Sequence, residues 1–304
     1  MQCLKHGWMP CSAFAIIALS STFAGPVSFS VPEGLFSDSI EVSLSTGDAS
    51  ATIRYTLDGT LPSPANGDLY AEPLGVASTT QIRAVAVQAN PAGEISSAHY
   101  IKLDSSLDGY QSNLPILVIE NFDAGRIPAK GWNGTGAGIK QKPRQPAMWA
   151  IFDRDPKTSM AGLTSAPQML SRIGIRGRGA FSTTWREPGY SVEAWRNDSD
   201  EERKVAPLDI PKHSDWVLYY PHPDQNKDPT MLHNTFMYEM SARLGRYAAR
   251  FRWVDVFVNS NGGDLQESDR RGVYAIMEKV SRSADRLDFE LLSEDGATGG
   301  REVV

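Results

Sequence analysis

The chain has 304 residues, of which 41% are hydrophobic and 22% charged, as in a folded protein with room for about two domains. Its net charge of −6 excludes nucleic-acid binding through overall charge, so any anion site must be a local basic cluster. No segment after the N-terminus is long and apolar enough to span a membrane. We therefore expect no nucleic-acid partner and no membrane span.

The first 24 residues have the polarity order of a signal peptide. A weakly basic start precedes the apolar run at 13–19, and small residues follow up to Ala24. We expect cleavage after Ala24 and a protein that is secreted or held at the cell surface or in the periplasm. Both cysteines lie in this segment, so the mature chain has none for disulfides or zinc. The alternative is an uncleaved, buried strand or helix.

Residues 25–103 have the pattern of short β-strands. Apolar and polar residues alternate at 40–46, 51–57 and 80–88, with Gly-, Pro- and Asn-containing turns between them. Short strands at this spacing predict an all-β sandwich in which every second residue is buried.

One string in this region is specific. The sequence IRYTLDGTLPSP at 53–64, then Tyr70 and IRAVAV at 82–87, resembles the C-terminal module of chitobiases and β-hexosaminidases. The resemblance implies an immunoglobulin-like sandwich that serves as an accessory or spacer. Contact with a polysaccharide is the other role that the resemblance allows, although the segment has no tryptophan for a stacking platform.

A polar, turn-rich stretch at 104–114 predicts a linker to a second domain at 115–304. Apolar runs at 115–120 and 147–153 predict buried strands. Further strands are predicted at 190–195, 253–258 and 272–280, the last two as a hairpin around the polar stretch between them.

One helix is predicted in this second domain. Asp228 is a capping residue, Pro229 suits the first helical position, and Gly245 can close the C-terminus. Apolar residues recur every four positions, which predicts a face packed on a core. These residues are Leu232, Phe236, Met240 and Leu244, with Met237 beside them.

The stretch RIGIRGRG at 172–179 concentrates three glycines and three arginines. The alternation predicts a strand that ends in a Gly-Arg-Gly turn and returns as a hairpin. Glycines let backbone N–H groups approach a phosphate, and Arg176 and Arg178 can add charge-assisted contacts. No helix follows directly, which excludes a Walker loop and a dinucleotide fold. From these residues alone, a hairpin with solvated arginines remains the alternative.

Several phrases in a fixed order decide the interpretation. IGIRGRGAFSTTW is followed by YSVEAW, PLDIPKHSDWVLYYP, DPTMLHNTFMYEM and GVYAIMEKV. This series resembles the CotH-type protein kinase family, known from bacterial spore coats. The resemblance implies an atypical protein-kinase-like α+β domain that binds ATP with Mg or Mn and phosphorylates Ser or Thr of a protein substrate.

The resemblance also implies which residues face the nucleotide phosphates. They are the hairpin residues Arg176, Gly177, Arg178 and Gly179, and the strand-end residues Glu278 and Lys279, expected as an organising ion pair. The chain departs from the family at His233, where Arg is usual, and at Ala249, where Pro is usual. In the family, catalytic and metal-binding aspartates follow much later. We therefore expect the catalytic residues beyond 304 and read the chain as a truncated or frameshifted fragment, inactive alone.

Two other parts of the sequence contain residue types that can bind metals. His213, His222 and His233 with Asp224 have no spacing typical of a metal site, and the loop at 259–264 lacks the final glutamate of a calcium loop. We assign no metal ligand. The alternative function is a non-enzymatic secreted protein that binds partners at the cell surface or on carbohydrate.

Overall fold

The structure is a computed structural model of the whole chain. It describes residues 25–88, 93–128, 144–179, 186–223 and 228–288. The expected signal peptide at 1–24 lies outside the described residues. Within these ranges, no helix is long and apolar enough to cross a membrane.

The described residues of the N-terminal unit form nine strands. They are β1 (Val27–Phe29), β2 (Gly34–Phe36), β3 (Ile40–Val42), β4 (Leu44–Thr46), β5 (Thr52–Thr56), β6 (Asp68–Leu69), β7 (Leu74–Val76), β8 (Thr80–Val87) and β9 (Ser96–Lys102). One sheet has the order β2-β9-β8-β5-β6, and β1 pairs with β4 and β3 with β7. The strand predicted at 40–46 is divided at Ser43, because its two halves pair with different strands.

The core of this unit follows the predicted alternation. Ile82, Ala84 and Ala86 of β8 are fully buried and share one cluster with Ile53 of β5. Alternate residues of a strand point to one face, so a strand with period-two apolar residues covers a core with that face.

The second unit contains nine strands and one α-helix among the described residues. They are β10 (Gln111–Ser112), β11 (Ile116–Glu120), β12 (Gln145–Phe152), β13 (Ala161–Gly162), β14 (Met169–Arg178), β15 (Gly189–Ala194), β16 (Asp215–Tyr219), α1 (His233–Arg243), β17 (Phe251–Asn259) and β18 (Arg270–Glu278).

Seven of these strands close into a barrel in the order β11-β12-β14-β15-β16-β18-β17. Neighbours pair antiparallel except β11 and β17, whose parallel pairing closes the barrel. Each of these seven strands therefore has a paired neighbour on both sides. The predicted hairpin of β17 and β18 is confirmed.

The barrel interior is filled by every second residue of its strands. Trp149, Trp216 and Tyr274 are fully buried there with aliphatic side chains from all seven strands. The intervening residues of β11 and β12 belong to a second cluster with Ile101 and Leu107 from the chain just before the barrel. Strands β11 and β12 are thus buried on both faces, which explains their continuous apolar runs.

The chain is mostly β. We expected a kinase-like α+β second domain, and the described residues do not establish one: they form a closed barrel with one helix. The physical reason is that the period-two segments find one another around a common interior, whereas the helical segment lies outside the barrel core.

Candidate functional site

Strand β14 carries the Gly- and Arg-rich stretch. Ile173 and Ile175 face the barrel interior, so Arg176 and Arg178 project outward. The prediction that Gly-Arg-Gly is a turn was wrong. Gly177 lies inside the strand, opposite Tyr190 of β15.

The strand continues because its backbone is paired on both sides of this glycine. The Gly177 N–H donates to the Pro128 carbonyl at 2.8 Å. The chain leaves the strand at Gly179, whose φ of +101° favours glycine. Residues 180–185 lie outside the described part.

A cross-strand row of side chains lies beside these arginines. Arg176 is opposite Ser191, Ser191 opposite Val217, and Val217 opposite Met277. Side chains directly opposite one another on antiparallel strands lie on the same face. The row therefore makes a surface on the outside of the barrel that is charged at one end and apolar at the other.

This surface is the floor of a cavity of 420 Å³, which we call the hairpin cavity. Its wall includes Asn234 and Tyr238 of helix α1. All six residues expected to face phosphates line it, although they come from positions a hundred residues apart. The lining comprises Arg176, Gly177, Arg178, Gly179, Ser191, Val217, Tyr219, Asn234, Tyr238, Ala249, Met277, Glu278, Lys279 and Val280.

Glu278 and Lys279 belong to two separate ion pairs. The buried Glu278 carboxylate accepts from the Arg250 guanidinium at 2.7 Å and from the Arg250 backbone N–H at 2.9 Å. Lys279 Nζ donates to Asp215 Oδ2 at 2.7 Å. Neighbouring residues of a strand point in different directions, so Glu278 and Lys279 do not form the expected ion pair with each other. Lys279 pairs instead with Asp215 on the neighbouring strand.

Asp215 is part of an acidic cluster that sequence reasoning missed. Glu193, Glu202 and Asp215 each offer a carboxylate oxygen within 4.8 Å of the others. Arg144 lies 3.0 Å from Glu193 and 3.1 Å from Asp215, opposite the contact that Lys279 makes. The Ser-Asp-Trp phrase at 214–216 was the sequence signal that could have identified Asp215. Arg144 follows a Gly- and Pro-rich stretch, and no sequence pattern marked it.

The charge of Arg144 acts on Arg176, the arginine that lines the hairpin cavity beside it. Burial and the nearby charge of Arg144 lower the pKa of Arg176. An arginine remains protonated even so. Arg176 therefore adds a full positive charge to the lining of the hairpin cavity.

The predicted capping residues Asp228 and Gly245 flank helix α1, but the helix begins later than predicted. The helix begins at His233, not at Pro229, and the Asp228 carboxylate accepts from the N–H groups of Leu232 and His233 at 3.2 and 2.9 Å. Burial raises the pKa of Asp228, but these hydrogen bonds and one from Thr230 lower it by more. The chain leaves the helix through Gly245 at φ +74°, as predicted.

The prediction that α1 packs its apolar face on a core was wrong. Phe236 is 59% exposed and Leu244 73%. The helix contacts the barrel through its other side, where Tyr238 packs on an outer cluster with Val217 and Met277. Period-four apolar residues show that a face is apolar, but not that the described part of the chain covers it.

The alternative metal site made of histidines receives no geometric support. Asp224 lies outside the described residues. His213 Nδ1 accepts from the Asp215 backbone N–H at 3.0 Å, and His233 lies beside Asp228. The loop weighed as a calcium loop is the β17–β18 connection, in which Asn259 donates to the Gly263 carbonyl.

Two segments of the chain match known protein families. Residues 175–298 match the family model of CotH kinase protein. Residues 31–99 match that of the chitobiase/beta-hexosaminidase C-terminal domain. Both resemblances, and their order along the chain, are confirmed. The CotH match includes every residue that lines the hairpin cavity, since these residues lie between 176 and 280, whereas Arg144 lies outside the match. A search of curated proteins finds no match to the chain.

Proposed function

We propose that the CotH-like unit binds ATP in the hairpin cavity and belongs to a secreted protein kinase that phosphorylates Ser or Thr of extracytoplasmic proteins. One observation carries the proposal: six residues chosen from the sequence as phosphate-facing line a single cavity inside the segment that matches the CotH family. The volume of 420 Å³ is within the range of about 300–1,000 Å³ usual for small-ligand sites.

The cavity has two chemical ends that suit a nucleotide. Val217, Met277 and Ala249 offer an apolar surface for a base. Arg176 brings positive charge to the other end of the cross-strand row, and Lys279, just past the end of β18, adds a second cation to the same cavity. Both can meet the negative charge of a triphosphate. Phosphoryl transfer depends on positioning and on stabilising charge, so cations held in place are the contribution expected of such a site.

Lys279 is held in place by its ion pair. Its side chain is 44% exposed while the ammonium donates to Asp215, and Arg144 contacts the other oxygen of the same carboxylate. Two of the three ammonium donors can still reach a ligand. We infer that Asp215 and Arg144 position Lys279 and do not themselves contact the nucleotide.

The family implies Mg or Mn with ATP, and the described residues do not fit such an ion. Glu278, the carboxylate in the cavity lining, and Asp215, which bonds to Lys279, are both paired with cationic side chains, and Glu202 accepts from the Ser214 hydroxyl at 2.8 Å. Glu193 likewise is held by Arg144.

Calorimetric titration of ATP into the full chain tests the proposal, with and without Mg. We expect saturable binding that Lys279→Met and Arg176→Gln each weaken about tenfold or more, because each removes a charge-assisted contact. Arg203→Gln is the matched control, since Arg203 is exposed and outside the cavity lining. No binding by the wild type, or equal binding by all variants, would sink the proposal.

A non-enzymatic binding role is the second candidate. The observation in its favour is the exposed apolar face of α1, which includes Phe236 and Leu244. It predicts that ATP does not bind and that a folded chain with this face made polar loses its partner in a pull-down from extracytoplasmic protein.

A further inference from the structure

A second cavity lies at the mouth of the barrel, on the other side of Gly177 from the hairpin cavity. It has a volume of 250 Å³, and we call it the barrel-mouth cavity. Its polar lining consists of Arg126, Arg186, Arg271, Glu187, Tyr190 and Ser260.

The charges around this cavity are unbalanced. Three guanidinium groups face one carboxylate, Glu187, which lies 3.6 Å from Arg186. Asp269, outside the lining, is close enough to Arg271 for that charge to act on it, but burial raises the pKa of Asp269 overall. Like charges around one small cavity repel each other, and a bound anion removes this repulsion.

The base of the cavity supplies a neutral donor. Tyr190 is 5% exposed, and its ring stacks on Tyr274 in the barrel interior at 6.3 Å. Burial raises the pKa of Tyr190 to about 12, while Arg271 and Arg126 act in the opposite direction. The hydroxyl therefore keeps its proton at neutral pH and lies near two of the three arginines.

Hydrogen bonds and core packing fix the backbone around Arg126 and Arg271. Asn121 donates to the Gly125 carbonyl at 2.6 Å, and Gln145 donates to the Ala124 carbonyl at 2.6 Å. Ile127, next to Arg126, is buried in the barrel core. Arg271 is the second residue of β18, between the paired residues Arg270 and Gly272, and its guanidinium donates to the Val258 carbonyl at 3.4 Å. A site on a fixed backbone loses less conformational entropy on binding.

We propose that the barrel-mouth cavity binds a doubly charged oxyanion, a phosphate in free or monoester form, between Arg126, Arg271 and Tyr190. Planar guanidinium groups bind phosphate oxygens through two parallel hydrogen bonds, which an ammonium cannot do. This site is separate from the proposed ATP site, since the two cavities share Gly177 alone.

The test is NMR titration of the full chain labelled with ¹⁵N-arginine, observing the side-chain Nε–H signals. One arm uses inorganic phosphate and a second uses O-phosphoserine, with sodium chloride at equal ionic strength as reference. We expect saturable shifts of the Arg126 and Arg271 signals with phosphate and not with chloride. A stronger response to one arm identifies the free anion or the monoester as the source.

Variants distinguish this site from general charge attraction. Arg271→Gln and Arg126→Gln are each expected to weaken binding about tenfold, and Tyr190→Phe severalfold, while Arg203→Gln has no effect. Thermal unfolding verifies that each variant is folded. Shifts that follow ionic strength alone, binding unchanged in both arginine variants, or responses confined to Arg176 and Arg178 would each overturn the proposal. Since ATP binding is measured separately, either proposal can fail without the other.

Discussion

Gly174 of β14 lies directly beneath the ring of Trp195. A Cβ added there would be 2.0 Å from Cζ2 of Trp195 and 2.5 Å from Cε2, distances that real Cβ atoms do not show. Trp195 is 5% exposed, donates to Glu193 at 2.8 Å and lies 5.8 Å from the Arg172 guanidinium. Gly174→Ala therefore has to displace a buried, hydrogen-bonded ring.

The cost follows from what the ring loses. Overpacking costs about 1–3 kcal/mol, and a weakened hydrogen bond adds about 1 kcal/mol. We expect Gly174→Ala to lower the free energy of unfolding by roughly 2–4 kcal/mol. Because Gly174 is opposite Glu193, which contacts Arg144, the change also disturbs the support of Lys279.

Urea denaturation followed by tryptophan fluorescence measures this change. Gly162→Ala is the matched control, since its nearest neighbour, the Tyr110 carbonyl, is at an ordinary 3.8 Å. The control should stay within about 0.5 kcal/mol of the wild type. If Gly174→Ala did the same, Trp195 would not lie where the structure places it.

Three further predictions concern other elements. Burial raises the pKa of Glu120 from 4.5 to about 8, so the folded state keeps a proton that the unfolded chain releases. Stability should then fall from pH 4.5 to 8, by up to about 1.4 kcal/mol per pH unit, and Glu120→Gln should flatten this slope in urea melts at several pH values. Phe236→Ser should change the free energy of unfolding by less than about 0.5 kcal/mol, because Phe236 is 59% exposed; a loss above about 2 kcal/mol would mean a packed face. Asp228→Ala removes the acceptor for two N–H groups at the start of α1, which should cost about 0.5–2 kcal/mol and lower helicity by circular dichroism; unchanged values would contradict the cap.

The strands of both units could be predicted because their signal is local. Segments such as 80–88 and 147–153 alternate or run apolar, and each lies within a residue or two of an observed strand. The closed barrel could not be predicted, since closure depends on the pairing of β11 with β17, more than a hundred residues apart. No local pattern records which strands become neighbours.

In the candidate site, too, the residues marked by a local motif could be predicted and their long-range partners could not. A motif marked Arg176 and Lys279, and the structure brings them to one cavity. Asp215 was missed because it meets Lys279 only through cross-strand register, and Arg144 because it reaches Asp215 from the residue before β12. The exposed face of α1 was misread because periodicity reveals an apolar face and not its cover.

Photolabelling with 8-azido-ATP tests the central claim most directly, because it identifies the residues that touch the base. After ultraviolet irradiation and proteolysis, mass spectrometry should find the label on peptides with Val217, Ala249 or Met277, the apolar end of the hairpin cavity. Excess ATP should prevent labelling, and Lys279→Met should reduce it. Labelling elsewhere, or labelling that ATP does not compete away, would contradict the account.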